Sequence, residues 1–77
     1  MKYNEFVEHI LFGGEVIGTI DNLTFKILNV IEDKVVFFLD NKVYEIDDEQ
    51  ILVEKVYKDY TFKDLFEKDM IKINELY

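Results

Sequence analysis

Alanine, arginine, serine, proline, tryptophan and cysteine are missing from this chain of 77 residues. Without cysteine it has no disulfide, no thiolate metal site and no thiol nucleophile. Without serine as well, both common acyl-transfer nucleophiles are gone. Without arginine there is no bidentate clamp for carboxylate or phosphate. Small secreted domains usually lean on disulfides, so a reducing cytoplasm is the expected location. Long hydrophobic runs are also lacking. The apolar stretch VVFFL (35–39) is far short of the ~18 residues of a membrane helix. The opening MKYNEFVEH is polar and acidic, unlike a signal peptide. Positive charge is scarce: nine lysines face seventeen acids, for a net charge of −8. Both halves share the imbalance, so direct contact with nucleic acid or anionic lipid is disfavoured and a basic surface is attracted. The length suits one domain, 1–77, with a small core.

What is present reads as an α+β domain: an N-terminal helix, a twisted antiparallel meander of four or five strands, and a C-terminal helix. Tyr3, Phe6, Val7, Ile10 and Leu11 recur at helical spacing. Asn4 is placed to cap that helix, and Gly13 to end it near Leu11 or Phe12. Three two-residue turns follow, at Asp21-Asn22, Glu32-Asp33 and Asp40-Asn41. The first opposes Ile20 with Leu23, Gly18 with Phe25, and Val16 with Ile27. The second opposes Val30 with Val35, Leu28 with Phe37, and Ile27 with Phe38. The third opposes Phe38 with Val43, Phe37 with Tyr44, and Val35 with Ile46. These pairings put Val16, Ile20, Leu23, Phe25, Ile27, Val36, Phe38 and Val43 on one face. Leu28, Val30, Val35, Phe37, Tyr44 and Ile46 fall on the other. A sheet apolar on both sides is covered by helices on the two faces, curls strongly into a small barrel, or has one side covered by a partner; the C-terminal helix is the expected cover of the second face. Residues 51–58 (ILVEKVYK) are β-branched and read as a fifth strand, with a helix capped by Asp48 as the alternative. Thr61 and Asp64 form a capping-box pattern, and Phe62, Leu65, Phe66, Met70 and Ile73 make one helical stripe.

HILFGGEVIG (9–18) holds the only histidine and all three glycines. Its spacing matches neither the dinucleotide fingerprint nor the P-loop, and it sits between a helix and a strand in the wrong order. The glycines read as a helix cap and sheet residues, and His9 as a solvated partner of Glu5 one turn earlier. Asp47, Asp48 and Glu49 are the densest acidic cluster. They lack the spacing of a calcium loop, so no metal and no cofactor is expected. Tyr57 and Tyr60 lie among charges in EKVYKDYTFKD, a mixture suited to a protein-binding surface or to an ordinary strand–helix junction. Along the C-terminal helix, Lys63 and Glu67, and Asp64 and Lys68, stand four apart.

YNEFVEHILFGGEVIGTI (3–20) resembles, in layout, the openings of small phage and mobile-element proteins: a short helix, a glycine corner, then a meander. In its acidity and lack of a catalytic motif the chain is similar to anti-CRISPR-type counter-defence proteins. That resemblance implies a cytoplasmic, non-enzymatic inhibitor or adaptor that occludes a basic protein surface, such as that of a nuclease. The acids implied for that role are Asp47, Asp48, Glu49 and Glu54, with Asp59, Asp64, Glu67 and Asp69. The expected partner contacts join Tyr57 and Tyr60 to Asp47, Asp48, Glu49, Glu54, Asp59, Asp64 and Glu67. The interspersed Lys58, Lys63 and Lys68 depart from the run of acids a phosphate mimic would present. The alternatives are a small-ligand-binding or sequestering oligomer, the homodimer included, and a structural assembly subunit. An apolar sheet face left uncovered would favour the oligomer.

Overall fold

Aspartate rather than glycine takes most of the left-handed corners of this chain. In the computed structural model, which describes residues 1–30 and 33–77, Asp21, Asp33, Asp40 and Asp69 all have φ between 48° and 62°. A short polar side chain tolerates that region better than a bulky one. These corners divide the chain into α1 (Tyr3–Leu11), β1 (Val16–Ile20), β2 (Leu23–Val30), β3 (Lys34–Leu39), β4 (Lys42–Asp47), α2 (Phe62–Glu67) and β5 (Ile71–Leu76). The strands form one antiparallel sheet in the order β4-β3-β2-β1-β5. The α+β architecture expected from the sequence is therefore present.

The first and third hairpins have the expected registers, Val16 opposite Ile27 and Val35 opposite Ile46. The second is displaced by one residue. Ile27 pairs with Phe37 and Leu28 with Val36, closing at Val30 opposite Lys34. Of the proposed Glu32-Asp33 turn, Glu32 lies outside the described residues. Three residues connect Val30 to Lys34 rather than two, and Asp33 supplies the left-handed end. Because side chains alternate with period two, this single slip transposes β3 and β4 between faces. Val35, Phe37 and Ile46 join Val16, Phe25 and Ile27 in the core. Val36, Phe38 and Val43 move to the opposite face.

The other differences lie after β4. Residues 51–58 are not a strand. They run as turns, with Val53 and Glu54 N–H groups donating to the Gln50 carbonyl, and they bury Ile51 and Val56. The fifth strand is instead β5, which pairs with β1. Ile73 belongs to it and not to the helical stripe. The helix stops because Asp69 adopts φ 55°, with its N–H bonded to the Phe66 carbonyl and the Met70 N–H to the Leu65 carbonyl. That is a Schellman ending with aspartate in the glycine position.

α2 does not cover the second face. It packs beside α1 on the same side of the sheet. Phe62 is the hub, with ring centroids 5.0 Å from Phe6, 5.5 Å from Phe37 and 6.4 Å from Phe25. Its start is the expected capping box: the Thr61 N–H donates to Asp64 Oδ2 at 3.0 Å, and the Asp64 N–H to Thr61 Oγ1 at 3.2 Å. At α1 the first turn is closed by Glu5, whose carboxylate accepts the Lys2 N–H, and Asn4 lies inside the helix. No helix among the described residues is long and apolar enough to cross a membrane.

Candidate functional site

The glycine corner is structural. The Gly14 N–H donates to the His9 carbonyl and the Gly13 N–H to the Ile10 carbonyl, while Gly13 holds φ 91°. That Schellman turn brings the His9 ring beneath Gly14, where its Nε2–H donates to the Glu15 carbonyl at 3.0 Å. His9 therefore straps the helix end to the start of β1, and is not a surface partner of Glu5. Gly18 has a separate task. A Cβ there would collide with the Lys72 carbonyl and stand 2.8 Å from the Phe25 ring.

The acidic cluster is where the exit of β4 meets the end of the β2–β3 hairpin. Lys34 pairs with Asp47, and the next step along is the Asp48 N–H, which donates to the Asp33 carbonyl at 2.9 Å. Asp33, Asp47, Asp48 and Glu49 thereby line one open hollow of about 450 Å³, together with Leu11 and Leu52. Leu11 is 50% exposed and Leu52 half-buried, so carboxylates stand around an apolar patch, with no lysine lining it among the described residues. Asp33 was not among the expected contact residues, although the correctly read β3–β4 register already places it across from Asp48.

A second open groove, about 460 Å³, lies on the other side of the Asp47 corner. Glu54 and Tyr57 line it, with Phe37, Tyr44, Lys55 and Lys58. Phe37 and Tyr44 stack at 6.0 Å along its floor. The Tyr57 hydroxyl donates to Asp21 Oδ2 at 2.7 Å, and this bond to a carboxylate raises the phenol above its ordinary pKa. Lys58 Nζ lies 5.2 Å from the Tyr57 ring and Lys68 Nζ 5.2 Å from the Tyr60 ring. Both tyrosines are thus engaged by the protein's own charges.

The remaining expected residues are not brought together with these. Asp59 sits in the tight turn between the bridged Tyr57 and Tyr60. Glu67 ends α2 in an exposed position. Asp64 is committed to its cap, where the Thr61 N–H and hydroxyl hold its carboxyl below the usual carboxylate range. The nine expected contacts therefore divide into an acidic hollow, a mixed-charge groove and scattered positions around α2. Among the described residues no group of three or more His, Cys, Asp or Glu side chains is arranged to hold a metal ion.

Compared with protein-family models, curated proteins and solved structures, the chain has no match.

Proposed function

We propose that this is a non-enzymatic binding protein that engages a basic protein surface through the acidic hollow at the exit of β4. The observation that carries the reading is the lining itself: Asp33, Asp47, Asp48 and Glu49 around Leu11 and Leu52, with no cation lining it among the described residues. A lysine or arginine side chain of a partner meets both needs at once. Its alkyl stem covers the leucines while its charged head reaches the carboxylates. The net charge of −8 adds long-range attraction to such a partner and speeds encounter. His9, the only imidazole, is occupied by the Glu15 carbonyl, which supports binding over general-base chemistry. Inhibition by occlusion, of the counter-defence type, is the form of this activity that the chain's small size and acidity suit.

The test is capture of basic proteins from a bacterial lysate at low salt, followed by a salt step. The wild type retains basic proteins and releases them as ionic strength rises. Asp47→Lys/Asp48→Lys retains none of them. Capture unaffected by salt, or unaffected by the charge reversal, would remove the hollow from the account.

A further inference from the structure

With both helices on one side, nothing among the described residues covers the other face of the sheet. Its apolar side chains include Ile17 on β1, Leu28 on β2, Val36 and Phe38 on β3, and Val43 on β4. Ile17, Leu28, Val36 and Phe38 are half-buried by their neighbours, and Val43 is 59% exposed. We propose that this face is covered by the same face of a second copy, forming a two-fold dimer in which the sheets pack against each other.

Charge selects the occupant. Lys26, Lys34 and Lys72 stand on this face against Glu45, Asp47 and Glu75, with Glu15 at its rim. Three cations against four anions leave it within one charge of neutral, in a chain whose total is −8. A basic partner is drawn to the acidic hollow instead. For another copy of the chain, mutual repulsion at this near-neutral face is small.

Shape agrees with charge. Ile17, Lys26, Leu28, Glu15 and Tyr77 surround an open hollow of about 310 Å³ on the β1 side of the face. Val43 projects from β4, on the far side. Val43, Phe38, Lys26 and Ile17 are successive cross-strand neighbours in one row. A two-fold axis lying in the interface and running along the strands preserves that row and reverses it. Val43 of each copy then meets the hollow of the other, as an isologous interface requires. In that register β4 lies over the partner's β1, so four strands of each copy overlap; spaced ~4.8 Å apart and ~20 Å long, they give a footprint of roughly 380 Å² per copy. Doubled, this is below the size of standard stable interfaces, so the dimer is a weak one with Kd above about micromolar.

The test is sedimentation equilibrium from about 10 μM to about 1 mM, the range over which such an interface fills. The wild type shifts from 9.3 kDa toward twice that mass. Val43→Glu sets a carboxylate in the partner's hollow beside Glu15, and both it and Lys26→Glu take the face further from neutrality. Both residues are exposed, so each variant folds, and each weakens association by about tenfold or more. Asp48→Lys, in the acidic hollow, leaves association intact. Salt separates the two surfaces further: it strengthens the dimer by screening like charges and weakens capture of a basic partner. A monomer throughout the range, or a dimer indifferent to both face variants, overturns the proposal without touching the function assigned to the hollow.

Discussion

Single side chains decide several features here that composition alone leaves open. Gly18 is required by contact rather than by φ, since the Lys72 carbonyl and the Phe25 ring occupy the space a Cβ would take. Gly18→Ala is expected to destabilise the fold by about 1–3 kcal/mol in denaturant titration, as overpacking does. Phe62 touches rings from α1, β2 and β3, so Phe62→Ala is expected to cost about 3–5 kcal/mol. The cap of α2 has a pH signature. The Asp64 carboxyl is held below its ordinary range by the Thr61 N–H and hydroxyl. Its contribution is complete at pH values above the unfolded carboxyl pKa, and is lost as pH falls through the lower folded-state pKa. Stability measured against Asp64→Asn should therefore show a wild-type advantage at neutral pH that vanishes in acid. The Thr61–Asp64 cap was legible in the sequence because its two residues stand at fixed spacing. The bond from His9 to the Glu15 carbonyl was not, because it depends on a turn geometry that brings a side chain back over six residues.

Whole segments were legible wherever local chemistry and periodicity agreed. α1 and the β1–β2 and β3–β4 hairpins meet that condition, with apolar partners opposed across recognisable turns. The β2–β3 hairpin fails it. Both candidate registers oppose apolar residues, since β3 reads VVFFL without alternation, and one residue of loop length decides which face each side chain takes. The end of α2 fails for a different reason. Its stop signal is Asp69 in a left-handed conformation, and an aspartate does not announce that role as a glycine does. The apolar stripe therefore reads on into Met70 and Ile73, and β5 is missed. Asp69→Gly is expected to stabilise the protein by about 0.5–1 kcal/mol, measured by thermal unfolding, because glycine adopts the same corner without the steric cost.

Taken as one object, the molecule presents chemically distinct exteriors, among them an acidic hollow, a mixed-charge groove and a near-neutral sheet face. A sequence apolar on both sides of its strands suggested two covers. The fold provides one, because α2 joins α1 rather than crossing the sheet. The acidic residues were identifiable from the sequence, but their grouping was not. Asp33 enters through strand pairing, whereas Asp64 is drawn away into a helix cap. The proposed function requires the hollow at the exit of β4 to take up a cationic side chain. The most direct measurement is an amide NMR titration with a lysine-rich peptide at low ionic strength. Shifts should concentrate at Leu11, Asp33, Asp48, Glu49 and Leu52 and reverse on adding salt. Shifts spread evenly over the acidic surface, or confined to the groove at Tyr44 and Tyr57, would contradict the claim.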